Sequence, residues 1–302
     1  LYQADTAAVG VRPAGLVVGT RTIAFTSHSG GTGRSTIAEG LAVELARNHV
    51  RTLLMSFNSP AAVVGHFRDL VFERNAHVWF KQPTPETFQA ALQRLNGLDN
   101  LDLLLATNDP VELEAMANQP AHKANSLKQL IYAAYSFNYG VILLDLPPCA
   151  ETNWVLQPLL AATVAVLVCR PTVHDQFAAI RAYRLFTGRL AEQHRIPAEA
   201  MFAVLNFVSP DGNLSEQAFH GAIAGQIGRF PPLLASIPYC PKLPALQNQG
   251  DSPMLKAGAE PFAEAIRSLA GKLVQGTPIA EKSNGAGKRG LLGKLGITVK
   301  VK

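Results

Sequence analysis

The amino-acid sequence predicts an α/β protein in which one mostly parallel, twisted sheet carries helices on both faces within a single domain. Apolar runs of strand length alternate with segments of helix length along most of the 302 residues. Several runs, such as residues 141–146, are almost continuously apolar, which is typical of parallel strands buried on both faces. The composition, 48% hydrophobic and 16% charged, supplies one sizeable core and excludes a wholly disordered chain.

The individual elements follow from this pattern in chain order. The predicted strands are residues 22–27, 52–56, 101–106, 141–146, 163–169, 202–207 and 233–237. The predicted helices between and after them include residues 36–48, 127–137, 176–194 and 260–273. The domain is predicted to span residues 21–275, after a leader or linker over residues 1–20. A flexible basic tail with a possible short amphipathic segment follows over residues 276–302.

The net charge of +5 is concentrated near the carboxyl terminus of the sequence. Residues 272–302 contain seven basic residues and one acid and carry +6, whereas residues 1–271 carry −1. A near-neutral body and a tail without aromatic residues disfavour a nucleic-acid partner. No apolar run reaches the about 20 residues that a membrane-spanning helix needs. Three dispersed cysteines without a C-x-x-C pair are expected of a protein in a reducing cytoplasm.

The most informative segment joins the first predicted strand to the first predicted helix. Its turn contains three glycines: Gly30, Gly31 and Gly33. Such a turn directs backbone N–H groups and the positive end of the helix dipole at one point, which suits a polyphosphate. The hydroxyl of Ser35 is placed to bind Mg²⁺, but the strict pattern G-x-x-x-x-G-K-[ST] fails twice, at His28 and Arg34.

Residues 29–36 resemble the deviant Walker A loop of the ParA/MinD family, K-G-G-x-G-K-[ST]-T, and the resemblance continues in register along most of the chain. Residues 141–148 are similar to the family's Walker B strand, which ends in Asp-x-Pro-Pro. Residues 164–175 resemble its next strand and loop, and residues 204–206 resemble the strand whose Asn contacts adenine. Residues 237–253 resemble a late segment that begins Ile-Pro.

The resemblance implies a P-loop NTPase fold of the SIMIBI, MinD-like type that binds ATP or ADP with Mg²⁺. The residues that it places around the nucleotide are Gly30, Gly31, Thr32, Gly33, Arg34, Ser35, Thr36 and Asn206. It places the Mg²⁺ ion, held together with the nucleotide, at Ser35 and Asp145. An ionised carboxylate at Asp145, on a buried strand, needs a partner in any case.

The departures from the family pattern bear on catalysis. Ser29 and Arg34 stand where the family has lysines that contact the partner's nucleotide and the β- and γ-phosphates. Ser56-Phe57-Asn58 replaces an Asp-x-Asp pattern that serves the metal and the attacking water. Because phosphoryl transfer depends on positioning and charge stabilisation, we expect weak or lost nucleotide binding. Hydrolysis of ATP to ADP and phosphate is expected to be slow or lost, and no catalytic residue is assigned.

Within the family, a loop that lacks these residues is most similar to that of the CpaE/TadZ branch. This resemblance implies a positioning or assembly role in making Tad pili. The alternative is an active MinD- or ParA-like ATPase in division-site placement or partitioning, cycling on a membrane or nucleoid. Either reading implies protein partners of a secretion, pilus or positioning system, and homodimerisation is an option for both. The absence of tyrosine from the tail disfavours a bacterial tyrosine kinase.

The tail leaves several interpretations open. Residues 287–296 resemble the basic amphipathic membrane-targeting helix of MinD, with Leu291, Leu292 and Leu295 on one arc of a helical wheel. Residues 297–302 alternate with period two, so they could instead add as a strand to a partner. A solvated tail is the third alternative. The cysteine usage predicts the cytoplasm as the location of the protein. The membrane interpretation of the tail adds peripheral contact at the inner face of the cell membrane as an option.

Other residues have a structural interpretation beside the functional one. Asn206 either contacts adenine or forms a strand-end turn. Asp175 fits the first turn of a helix better than an acid/base pair with His174, because neighbours in sequence rarely face one another. Trp79 is expected in the core rather than on a partner-binding surface.

Overall fold

The computed structural model describes residues 20–58, 63, 67, 70–107, 109, 111–112, 126–148, 153–186, 200–211 and 214–274. The predicted leader up to residue 19 and the predicted tail from residue 276 lie outside the described residues, so the alternatives for the tail stay predictions. Within the described parts, no helix combines the length and the apolar character needed to cross a membrane.

The described residues form an eight-stranded sheet. Its strands are β1 (Arg21–Thr26), β2 (Thr52–Ser56), β3 (Gln93–Arg94), β4 (Leu101–Leu105), β5 (Val141–Asp145), β6 (Val164–Cys169), β7 (Met201–Val208) and β8 (Leu233–Pro238). The strand order is β3-β4-β2-β5-β1-β6-β7-β8, and only the pairing of β3 with β4 is antiparallel. The predicted parallel sheet is confirmed. The two-residue edge strand β3 was not predicted, because it is too short for an alternating pattern.

Helices connect the strands and cover the sheet. Those in the described residues are α1 (Arg34–Arg47), α2 (Ala76–Lys81), α3 (Pro85–Ala91), α4 (Ser126–Ala134), α5 (Asn153–Ala161), α6 (Val173–Arg184), α7 (Glu216–Ile227), α8 (Leu243–Asn248) and α9 (Glu260–Leu273). The predicted helix at residues 260–273 is confirmed to the residue. Helix α6 begins three residues before the predicted start at residue 176, because the side chain of Thr172 caps its first turn by accepting from the N–H of Asp175.

Both faces of the sheet are buried, as the apolar strand sequences predict. Along β5, Ile142 and Leu144 belong to the apolar cluster on one face, and Val141 and Leu143 belong to the cluster on the other. Helices α1 and α9 pack on the second face, whereas α2 to α7 contribute to the first. Trp79 is only 4% exposed within the first cluster, which confirms its predicted place in the core.

The strand order creates a crevice at one edge of the sheet. Strand β1 lies between β5 and β6. The chain runs from β1 to β2 in one direction across the sheet, and it later runs from β5 to β6 in the opposite direction. In open α/β sheets, ligands bind at such a switch point, beyond the carboxyl ends of the strands. At these ends Asp145 of β5 is paired in register with both Ser56 of β2 and Phe25 of β1. The parallel register therefore brings the ends of three strands to the glycine-rich turn.

Candidate phosphate-binding site

The turn between β1 and α1 adopts the backbone conformation that its glycines predict. Gly31 has a φ of 69° and Gly33 a φ of 78°, so both lie in the left-handed region that favours glycine. Gly33 is also the N-cap residue of α1 and has no side chain with which to cap the first turn of that helix. The N–H groups at the start of α1 are therefore available to an anion.

Asn206, near the end of β7, fixes the turn from the neighbouring side. Its Nδ2 donates to the carbonyl oxygen of Thr32 over 2.8 Å, and the residue is only 3% exposed. A Cβ atom at Gly33 would overlap this side-chain amide, so the close approach requires glycine. Asn206 thus lies at the loop, where its Nδ2 holds the loop backbone. Its contact with adenine stays a prediction.

Arg34 turns back from α1 toward the end of β5. Its Nε donates to Oδ1 of Asp145 over 3.1 Å, and its Nη1 donates to Oγ of Ser27. The side chains of Arg34 and Asp145 are only 6% and 1% exposed. Asp145 therefore has the partner that a carboxylate on a buried strand requires, and that partner is the residue at the lysine position of the loop.

The other polar side chains of the site also bond within the protein. Oγ of Ser56 donates to Oδ2 of Asp145 over 3.2 Å, so both carboxylate oxygens accept a hydrogen bond. Nδ2 of Asn58 donates to Oγ of Ser35 over 3.2 Å. Nε2 of Gln247, in α8, donates to Oγ1 of Thr36 over 3.1 Å. The glycine-rich turn and the start of α1 are therefore held by Asn58, which follows β2, and by residues of β5, β7 and α8.

The site fits a phosphate group and, in this arrangement, does not fit Mg²⁺. Oγ1 of Thr32 is buried and has no hydrogen-bond partner among the described residues, which leaves a polar atom in the loop for a phosphate oxygen. Mg²⁺ requires oxygen ligands in near-octahedral geometry, usually carboxylates and substrate phosphates. Both oxygens of Asp145 and the hydroxyl of Ser35 already accept hydrogen bonds.

A second polar cluster lies after β6, where the sequence placed Asp175 in the first turn of a helix. Asp175 does occupy the first turn of α6, and its Oδ2 accepts hydrogen bonds from both N and Nε of Arg170. Nδ1 of His174 also lies 3.1 Å from Oδ1 of Asp175. The expectation that these sequence neighbours do not face one another is therefore wrong. The His174 ring is 75% exposed and turns back along the helix start to reach the carboxylate.

Acid stability is expected to depend on this cluster. Burial alone raises the pKa of Asp175, but hydrogen bonds from Arg170 and His174 outweigh it and hold the pKa below the ordinary value of 3.8. A lowered folded-state pKa stabilises the protein above the unfolded value, and this stabilisation is lost as the pH falls through the folded value. We expect Asp175→Asn to lower the free energy of unfolding by about 1–2 kcal/mol at pH 7 and to have a progressively smaller effect as the pH falls below the ordinary pKa of 3.8.

Urea unfolding at pH 7 and at acidic pH measures this difference directly. Asp211→Asn is the control, because Asp211 lies in an exposed turn. An Asp175→Asn cost that is the same at both pH values would contradict the assigned hydrogen-bonded carboxylate.

Four residues that bond the site were not predicted as such. Ser27, Ser56, Asn58 and Gln247 each hydrogen-bond a residue of the predicted site. The family pattern marks the positions of Ser56 and Asn58, where it has two acids, but it does not predict that these residues hydrogen-bond Asp145 and Ser35. Ser27 carried no separate signal, because a serine before a glycine-rich turn is common in such loops.

Comparison with known proteins shows similarity at the level of three-dimensional structure. No family model matches the chain, and no curated protein matches it in sequence. The MinD septum site-determining protein of Pyrococcus horikoshii OT3, solved with Mg-ADP, superimposes with a TM-score of 0.63 at 19% identity. That match covers 84% of this chain and 95% of the other.

Two further solved structures give the same result. The MinC:MinD cell division protein complex of Aquifex aeolicus matches at a TM-score of 0.62 and 21% identity, covering 88% of this chain and 100% of the other. A ParA family ATPase from Chlorobium tepidum TLS matches at 0.65 and 19% identity, covering 83% of this chain and 98% of the other. The chain therefore has the P-loop fold of the MinD and ParA-family ATPases.

Proposed function

We propose that this protein is a ParA/MinD-type nucleotide-binding protein whose phosphate chemistry has decayed, and that it acts as a positioning or assembly factor. The observation that carries the proposal is the hydrogen-bonded ion pair of Arg34 with Asp145. Within the group, a decayed loop favours the CpaE/TadZ branch and a role in assembling Tad-type pili.

Retention of nucleotide binding is supported by the backbone of the loop. Gly31 and Gly33 keep the left-handed conformations, and Gly33, the N-cap residue of α1, has no side chain with which to cap the helix. The buried hydroxyl of Thr32, which has no partner among the described residues, adds a polar contact. These features bind phosphate through main-chain N–H groups and do not depend on a lysine. We assign the nucleotide contacts to Gly30, Gly31, Thr32, Gly33, Arg34, Ser35, Thr36 and Asn206.

Loss of hydrolysis is supported by the charges at the end of the sheet. The guanidinium of Arg34 is bound to Asp145 and Ser27. Ser56 and Asn58, where acids would orient water, instead hydrogen-bond Asp145 and Ser35. Fast phosphoryl transfer requires charged groups that are aligned with the reacting phosphate. Because Arg34 and Asp145 neutralise each other, we expect this site to increase the rate of hydrolysis only slightly.

The partners of such a factor are proteins of a pilus, secretion or positioning system. A second copy of the chain and a membrane surface contacted by the tail are further partners in this proposal, at the cytoplasmic face of the cell membrane. Nucleic acid is not among them, because the positive charge lies in the tail and residues 1–271 carry −1.

An active ATPase of the MinD or ParA kind is the second candidate. The observation that favours it is the structural similarity to MinD of Pyrococcus horikoshii, which was solved with Mg-ADP. A plasmid partition protein from Borrelia burgdorferi that matches at a TM-score of 0.62 was solved with AMPPNP. In this alternative the protein cycles on a membrane or nucleoid.

Calorimetric titration with ADP and ATP, together with phosphate release, tests the proposal. We expect nucleotide binding without steady-state turnover, whereas binding with sustained turnover would establish the alternative. Thr32→Val is expected to weaken binding about tenfold, since it removes the buried hydroxyl with little change of shape. Thr163→Val is the matched control, because its hydroxyl bonds Thr22 at the opposite ends of β1 and β6. Absence of nucleotide binding would contradict both candidates.

A deletion strain separates the cellular roles. Loss of surface pili with normal septa supports the assembly role. Misplaced septa or lost plasmids, with normal pili, would instead support the second candidate.

A further inference from the structure

The guanidinium of Arg34 is bonded to Asp145, the carboxylate to which the family resemblance assigns the nucleotide-bound Mg²⁺. Arg34 is the first residue of α1, and Asp145 is the last residue of β5, the strand beside β1. The 3.1 Å contact between them joins the phosphate loop to the end of the sheet. The guanidinium therefore lies between the carboxylate and the loop that would carry the phosphates.

The geometry of the pair favours the guanidinium over a divalent cation. Three hydrogen bonds hold the group together, because Asp145 accepts from Arg34 and Ser56 while Arg34 also donates to Ser27. A Mg²⁺ ion at Asp145 would compete with Arg34 for the carboxylate and would lie next to a buried guanidinium of the same sign. Like charges at short range in a buried site repel strongly, and the released guanidinium would lose its partner.

We propose that this site binds the phosphates of a nucleoside di- or triphosphate without a divalent cation, with Arg34 supplying the positive charge. The proposal rests on nucleotide binding as the proposed function. The side chain is suited to the role, because a guanidinium presents five N–H groups in a planar fork and bonds carboxylate and phosphate alike. Nε and Nη1 bond Asp145 and Ser27, and Nη2 has no partner among the described residues.

The charge balance of the site agrees with an anionic ligand that brings no metal. The positive charge of Arg34 balances the carboxylate of Asp145, as a bound cation would, so the carboxylate does not repel a phosphate. The added attraction comes from the uncapped start of α1 and the buried hydroxyl of Thr32. Asn58 and Ser56 carry no charge and cannot replace the acids that would draw a cation to this edge of the sheet.

The test measures the dissociation constant of ADP for the full chain in a buffer with Mg²⁺ and in one with EDTA. We expect a constant that is equal or lower in EDTA. We also expect Mg²⁺ alone to leave the melting temperature of the protein unchanged. This second measurement is made without any nucleotide. Arg34→Lys provides the contrasting variant, because a lysine leaves Oδ1 of Asp145 without its Nε donor. Its ADP binding is expected to become about tenfold tighter with Mg²⁺ than without it.

Ser56→Ala is the matched control for this variant. It removes the donor to Oδ2 of Asp145 but keeps the ion pair with Arg34, so its ADP affinity should remain independent of Mg²⁺. ADP binding by the natural protein that needs Mg²⁺ would overturn the inference and leave the proposed function standing. No ADP binding in either buffer would overturn the proposed function together with the inference. Both readings use the natural protein and hold even if Arg34→Lys fails to fold.

Discussion

Asp145→Ala is expected to lower the free energy of unfolding by about 3–5 kcal/mol, because it leaves the buried guanidinium of Arg34 without a partner charge. The side chains of Arg34 and Asp145 are 6% and 1% exposed, so water cannot replace the missing carboxylate without opening the site. The hydroxyl of Ser56 would also lose its acceptor, and Ser27 would remain the hydrogen-bond partner of an uncompensated guanidinium. Urea unfolding followed by circular dichroism measures the change.

A double-mutant cycle separates the ion pair from the packing of its two side chains. The single variants are Arg34→Met, which leaves the buried carboxylate of Asp145 without its charged partner, and Asp145→Leu, which leaves the guanidinium of Arg34 without its own. The double variant replaces both charged side chains by apolar groups of similar size. Replacing a whole buried pair in this way is often nearly neutral, so the double variant should be less destabilised than the sum of the two single ones. The matched control is Arg94→Met, because the Arg94 side chain is 81% exposed in its ion pair with Asp102. Additive effects at Arg34 and Asp145 would contradict the assigned pairing.

Much of the fold was predictable because its signals are local. Strands buried on both faces have apolar sequences that stand out without any knowledge of their neighbours, as in β5 and β6. The glycine-rich turn was likewise predictable from the need for positive φ, although only Gly31 and Gly33 have it and Gly30 does not. The short elements α2, α3 and β3 were not predicted, because tertiary packing rather than periodicity stabilises segments of two to seven residues.

The sequence predicts which residues belong to the site better than it predicts the hydrogen bonds among them. The resemblance placed Arg34 and Asp145 at the phosphate loop and at the Walker B strand, 111 residues apart. Their direct contact depends on two further facts, the position of β5 beside β1 and the length of an arginine side chain compared with lysine. Strand order is not encoded in any local pattern, and so the ion pair emerged only from the structure.

Gly33→Ala is expected to be the most damaging change in the glycine-rich turn, with a loss of about 2–4 kcal/mol of stability or of nucleotide binding free energy. Two costs combine at this position. The φ of 78° is unfavourable for a residue with a Cβ atom. The new Cβ would also overlap the side-chain amide of Asn206 and lie 3.2 Å from Cζ of Phe207. Relieving the overlap breaks the bond from Asn206 to Thr32 that holds the loop.

The other two glycines of the turn separate these costs, since the three substitutions are chemically the same. Gly31 also has a positive φ, of 69°, but a Cβ there meets nothing within 4 Å, so Gly31→Ala should cost only the backbone strain, about 1 kcal/mol. Gly30 has neither a positive φ nor a neighbour within 4 Å, and Gly30→Ala should change stability by less than about 0.5 kcal/mol. Equal costs at residues 31 and 33 would show that backbone conformation alone requires glycine there. A larger cost at Gly33 that disappears in the Asn206→Ala background would show that the amide contact sets the requirement.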